Sequence, residues 1–245
     1  MIRRSGLVEP RFSDPALPLD TRIYAIGDIH GRADLLHDII QRIDDDRARR
    51  PVGTSIEVYI GDYIDRGPQS KDVIETLAWR VVQKGAVCLR GNHEALLEAF
   101  LADPAGLHPW LHVGGRQTLE SYGLSRADLD ASESSIRHRL LDVFPEAHCI
   151  FLEYLQNSFT CGDFLFVHAG LRPGTPLAQQ SVHDLHWIRD EFLDFKQSHG
   201  PLVVHGHTPV SHPELLSNRI NIDTGAWISG VLTCVVIEGS KVIVL

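Results

Sequence analysis

The sequence predicts an α/β protein: two β-sheets packed as a sandwich, flanked by helices and carrying a helical insertion. Three observations predict it. Short apolar, β-branched runs alternate with helix-patterned segments from residue 21 to about residue 100; helical patterning without strands fills residues 101–156; strand character returns over the last third.

In chain order, Arg22 to Ile26 reads as a strand, Ala33 to Arg47 as a helix, Ser55 to Ile60 as a strand and Ser70 to Gln83 as a helix. Ala86 to Leu89 is a third strand, with a helix from Glu94. This βαβαβ order is that of a layered α/β protein. The insertion holds helical stretches at Arg116 to Tyr122, Ser134 to Val143 and Ala147 to Leu155. Strands return at Phe164 to Val167, Leu202 to Val204, Arg219 to Ile222, Leu232 to Ile237 and Val242 to Val244, and are expected to form a second, largely antiparallel sheet. Residues 1–20, with three prolines and mixed charges, are expected to form an arm that packs on the domain or frays, leaving 21–245 as one domain.

Composition narrows the function. A chain of 245 residues, 43% hydrophobic and 22% charged, can bury a sizeable single core. The net charge of −9 argues against a protein that tracks nucleic-acid phosphates, which needs a basic surface. The four cysteines, Cys88, Cys149, Cys161 and Cys234, have no framework spacing and read as reduced packing residues, which suggests the cytoplasm. No apolar run suits a signal-peptide core or a membrane span, so no membrane partner is expected.

Three strands each end in a glycine-bounded polar cluster: Gly27-Asp28-Ile29-His30-Gly31, Gly61-Asp62-Tyr63-Ile64-Asp65-Arg66-Gly67 and Gly91-Asn92-His93-Glu94. One such cluster is an ordinary turn signal. Three in succession place Asp, His and Asn at the carboxyl edge of a sheet, where open α/β folds put their ligands. Asp28 and His30, two apart in a segment read as extended, should point the same way and grip one ion. His168, in His-Ala-Gly, and His207, in His-Gly-His-Thr-Pro, each leave an apolar strand. The mixed nitrogen and oxygen donors suit Mn²⁺, Fe²⁺ or Zn²⁺ better than an all-oxygen Mg²⁺ or Ca²⁺ site.

This motif set resembles the calcineurin-like metallophosphoesterases, and within them the PPP-type serine/threonine protein phosphatases of bacteria and phages, over about residues 22–226. The resemblance implies a metallophosphoesterase fold with two divalent metal ions, Mn²⁺ first among candidates. Asp28, His30 and Asp62 would hold one ion, with Asp62 bridging to a second held by Asn92, His168 and His207. Arg66, and Arg189 in Trp-Ile-Arg, match the phosphate-gripping arginines, His93 the general acid and Asp65 the carboxylate that orients it. The reaction implied is in-line attack on phosphorus by a hydroxide shared between the ions.

The resemblance also bears on substrate. Related hydrolases that split diadenosine tetraphosphate symmetrically typically lack an acid at the position of Asp65 and tend to carry aspartate at that of Glu94, and their leaving group departs without much protonation. The Asp65–His93 pair fits a poorer, alcohol leaving group. The sequence therefore favours a phosphoprotein or phosphopeptide substrate, with symmetrical dinucleoside tetraphosphate hydrolysis as the alternative. Arg32 stands where eukaryotic PPP enzymes usually have glutamine and His168 is followed by Ala-Gly, so their regulatory-subunit partnerships are not carried over. Of fourteen histidines, His205 and His186 are weighed as residues beside the site, and the eight further ones as structural. The acidic run Asp44 to Asp46 is expected to be solvated, and Trp110, Gly114 and Gly115 resemble an element of the family's bacterial members, with a packing role weighed at least equally.

Overall fold

The computed structural model describes residues 14–245. Its first half runs β1 (Thr21–Ile26), α1 (Ala33–Arg49), β2 (Thr54–Tyr59), α2 (Ser70–Lys84), β3 (Val87–Cys88) and α3 (Asn92–Ala102). Helix α1 buries Leu36, Ile39 and Ile43 on one face, the spacing that brings side chains one turn apart into register. Helix α2 stops at Gly85, whose left-handed backbone (φ 65°) suits a residue without Cβ. Helix α3 starts two residues before the expected Glu94, which puts Asn92 and His93 in its first turn.

The insertion holds α4 (Leu107–His112), α5 (Gly115–Ser121), α6 (Arg126–Leu129), α7 (Glu133–Val143) and α8 (Glu146–Tyr154). The chain then forms β4 (Ser158–Cys161), β5 (Phe164–Val167), α9 (Val182–Trp187), α10 (Asp190–Leu193), β6 (Leu202–His205), β7 (Glu214–Leu215), β8 (Arg219–Asn221), α11 (Ala226–Ser229), β9 (Cys234–Glu238) and β10 (Lys241–Val244).

Two five-stranded sheets result, ordered β10-β9-β1-β2-β3 and β4-β5-β6-β8-β7. The expected two-sheet architecture holds, with two corrections. Strands β9 and β10 join the first sheet: β9 lies antiparallel on β1, pairing Ile23 with Ile237. The second sheet is mixed, because β5, β6 and β8 run parallel and only its outer strands β4 and β7 are antiparallel.

Alternation along β1 shows the layers. Ile23 and Ala25 face a core between the sheets, with Val58, Ile60, Phe164, Phe166 and Val204. Tyr24 and Ile26 face the helical side, with Leu36, Leu77, Phe100 and Trp110. Helices α9 and α10 cover the second sheet through Leu185, Ile188 and Phe192. Of the expected arm, residues 1–13 lie outside the described residues. Leu17 is buried, and its N–H donates to the Gly239 carbonyl at 3.0 Å.

Candidate active site

Strands β1, β2 and β3 run parallel, so their following loops meet at one edge. The loops after β5 and β6, also parallel to each other, bring His168 and His207 to the same place. Six non-glycine residues among those described have positive φ, and five belong to the predicted site: His30 (47°), Asp62 (52°), Asp65 (73°), Arg66 (66°) and His207 (66°). Each such backbone costs on the order of 1–3 kcal/mol and persists only where surrounding bonds enforce it. His30 is thus turned, and the extended Asp28–His30 segment is corrected.

The enforcing bonds can be named. Glu94, fully buried at the start of α3, accepts backbone N–H groups of Asp62 (2.9 Å), Tyr63 (2.7 Å) and Gly91 (3.0 Å). That one carboxylate ties the loops after β2 and β3 together. The sequence reading used Glu94 only as a clue to substrate and missed this role. Gly61 is needed for close approach, since a Cβ there would lie 2.7 Å from the His168 ring.

Five of the six predicted ligands meet by their side chains, and Asp28 reaches them through the backbone of His207. Asp62 Oδ1 lies 3.3 Å from His168 Nε2, and its Oδ2 lies 3.6 Å from His30 Nε2. Asn92 Oδ1 sits 3.0 Å from His168 Nε2 and 2.8 Å from His207 Nδ1. Asp28 Oδ2 accepts the His207 N–H at 3.0 Å. Two groups, His30–Asp62–His93 and Asp62–His168–His207, each bring ligand atoms within 4.8 Å of one another, and Asp62 belongs to both.

The donors fit bound cations. Burial pushes the imidazoles down, His30 to about 3 and His207 to about 2, with His168 also lowered, so these rings are neutral. His30 donates its Nδ1 proton to Ile64 O and His168 donates its own to Ile60 O, each at 2.9 Å. Both Nε2 lone pairs then face carboxylate or amide oxygens, an arrangement that repels unless a positive charge stands between. Asp28 Oδ1 and His207 Nε2 are buried with no hydrogen-bond partner. Burial, then the charges of Asp223 and Asp62, push Asp28 well above the usual carboxylate range.

His93 is treated differently. Its Nδ1 meets Asp65 Oδ2 at 2.7 Å. Burial alone lowers its pKa, but the carboxylates of Asp62 and Asp65 outweigh that and raise it. Asp65 is held from the insertion, accepting Trp110 Nε1–H at 2.9 Å and Thr118 Oγ1–H at 2.6 Å. Trp110 therefore does more than pack. Gly114 O accepts the Arg66 N–H at 3.2 Å, and Cβ atoms at Gly114 and Gly115 would strike Arg66 and the Trp110 ring. The sequence signal, Trp110 ahead of a Gly-Gly pair, was visible, whereas Thr118 offered none.

The Arg66 guanidinium lies 3.2 Å from His93 Nε2, and exposed Arg189 donates to Thr208 Oγ1 at 3.1 Å. His205 and His186 stay outside the cluster: His205 faces Gly206 O and Arg219, and His186 bonds Asn157 Oδ1 at 3.1 Å. Asp223 was missed. It follows β8 in an Asp-Thr-Gly turn, another strand-end signal of the kind read elsewhere, and burial pushes it up to about 6.

The family model for calcineurin-like phosphoesterases matches residues 21–228. A relative in Halalkalibacterium halodurans, named bis(5′-nucleosyl)-tetraphosphatase PrpE (asymmetrical), is 27% identical over 85% of this chain and 87% of its own. One of the same name in Anoxybacillus flavithermus is 29% identical with the same coverage. The crystal structure of a candidate diadenosine tetraphosphatase superposes with a TM-score of 0.63 at 19% identity, covering 94% of this chain and 95% of its own. Among the described residues, no helix is long and apolar enough to cross a membrane.

Proposed function

The chain belongs to the calcineurin-like phosphoesterases, and on that premise we propose that it hydrolyses dinucleoside polyphosphates, splitting a bis(5′-nucleosyl) tetraphosphate. The supporting observation is that relatives carrying that name align over 85% of this chain and 87% of their own length. This reverses the order of preference that the leaving-group argument gave. Those names also specify asymmetrical cleavage, so the products expected are a nucleoside triphosphate and a monophosphate, rather than two diphosphates.

Asp28, His30 and Asp62 would hold one divalent ion, and Asp62, Asn92, His168 and His207 a second, with Mn²⁺ favoured over Fe²⁺ and Zn²⁺. When bound, the ions acidify water and withdraw charge from the phosphoryl group. The protein's own groups do the rest. Arg66 and Arg189 offer paired N–H donors to phosphoryl oxygens. His93, whose pKa the carboxylates of Asp62 and Asp65 raise, would donate its Nε2 proton to the departing oxygen. Glu94 holds Asp62 in its left-handed turn.

A second reading is favoured by the buried Asp65–His93 contact at 2.7 Å: a phosphoserine/phosphothreonine phosphatase, whose alcohol leaving group needs that proton most. The deciding experiment measures kcat/KM of the Mn²⁺-loaded enzyme on diadenosine tetraphosphate and on a phosphothreonine peptide, with products resolved by chromatography and a chelated control. Preference for the dinucleotide with ATP and AMP released supports the first reading. Preference for the peptide replaces it with the second, and turnover insensitive to chelator rejects both.

A further inference from the structure

Beside the phosphate-gripping Arg66 stands an aromatic group that no step above uses. Helix α11 is a single turn between two left-handed glycines, Gly225 (φ 64°) and Gly230 (φ 72°). It carries Trp227, 39% exposed, next to Ile228 (73%) and, just beyond, Val231 (56%). The Arg66 guanidinium carbon lies 5.3 Å from the Trp227 ring centroid, over its face.

The turn is tied on both sides. Arg32 donates to the Ala226 carbonyl at 3.0 Å, Gly225 N–H donates to Asp223 Oδ1 at 2.9 Å, and Thr224 Oγ1 donates to the Val231 carbonyl at 2.8 Å. Single exposed apolar residues are common, but here an indole lies against the cation expected to hold a phosphoryl group, with further exposed apolar residues next to it in the chain. Arg66 lies over one face of a residue that keeps 39% of its surface exposed. A ligand that fits this edge joins an anionic chain to a flat, weakly polar ring.

We propose that Trp227 is a stacking platform for a nucleobase, and that it makes the site prefer nucleoside phosphates over phosphate esters lacking a base. Stacking tolerates any base, since every base has a π-face, so discrimination among bases should be slight. The inference rests on the nucleotide reading of the site and names how that reading is enforced.

The test is calorimetric binding of AMP and of ribose 5-phosphate to the Mn²⁺-loaded protein, since the two share a 5′-phosphate and differ by the base. Wild type should bind AMP about tenfold more tightly, the size of one base–aromatic stack. Trp227→Ala should bring the ratio close to one. Trp227→Phe should keep most of it, and Trp227→Leu, which retains apolar bulk, should not. A wild-type ratio near one, or a ratio that Trp227→Ala leaves intact in a protein with native circular dichroism, overturns the proposal. The two readings fail separately. If diadenosine tetraphosphate is not split yet the ratio collapses in Trp227→Ala, the platform stands and the tetraphosphatase reading falls. If it is split and the ratio ignores Trp227, only the platform falls.

Discussion

Glu57 and Asp28 are each 1% exposed, on neighbouring strands of one sheet and its following loop, and their surroundings could hardly differ more. Glu57 faces the helical side between Arg80 of α2 and Arg47 of α1, accepting Arg80 Nε–H at 2.9 Å and the Tyr59 hydroxyl at 2.7 Å. Burial alone would raise its pKa, but these partners outweigh burial and hold it below the usual carboxylate range. Asp28 has neighbouring carboxylates and no bonded guanidinium, and its pKa is pushed up. One region neutralises its own charge within the protein. The other leaves negative charge to be met from outside, which is what a cation site requires.

The largest break in this contrast should come from Asp62→Asn. Removing the shared ligand should empty both metal positions, seen as metal per chain by mass spectrometry after dialysis, and lower kcat/KM by on the order of 10⁴. Unchanged metal content would show that Asp62 does not bridge.

The same contrast marks what the sequence could convey. Metal ligation demands a few residue types with glycines beside them, so Asp28, His30, Asp62, Asn92, His168 and His207 stood out locally. What holds them is non-local. Thr118 lies 53 residues from Asp65, and no pattern around Thr118 announces that bond. Strand β9 has the apolar character of any buried strand, and only its pairing with β1, more than two hundred residues earlier, decides its sheet. Asp44 and Asp45 are exposed as expected, but Asp46 accepts the Tyr24 hydroxyl at 2.6 Å, because α1 lies over a sheet face that carries polar groups.

On the self-neutralised side, Arg80→Met should cost about 3 kcal/mol of stability, because buried Glu57 loses its paired guanidinium and keeps only Arg47 and Tyr59, while metal content and kcat/KM of the folded fraction stay at wild-type values. Glu57 has a depressed folded pKa, so its stabilisation is present above the unfolded carboxylate pKa and lost as pH falls through the folded value. Denaturant titrations across acidic pH should show this loss in wild type and much less of it in Arg80→Met. A matching acid dependence in both would remove Glu57 from the account.

At the site, Glu94→Gln is a smaller perturbation. The amide keeps the shape but turns one acceptor into a donor facing backbone N–H groups, loosening the loop that holds Asp62. The Mn²⁺ concentration for half-maximal activity should rise about ten- to a hundredfold, with kcat largely recovered at saturating metal. An unmoved midpoint would mean that other bonds fix the loop.

The finest distinction concerns Asp65, the one site carboxylate held by side chains of the insertion. Asp65→Asn keeps one acceptor oxygen, which both Trp110 and Thr118 can reach, but puts an NH2 group towards His93 and removes the charge that, with Asp62, raises the His93 pKa. A proton on His93 matters in proportion to the basicity of the leaving oxygen. The loss in kcat should therefore be about tenfold greater on an alkyl phosphate than on nitrophenyl phosphate, with diadenosine tetraphosphate behaving like the latter because its leaving group is already stable. Equal losses on all three would show that Asp65 acts by holding Arg66 and the turn in place rather than through the proton. The general-acid assignment of His93 would then have to rest on geometry alone.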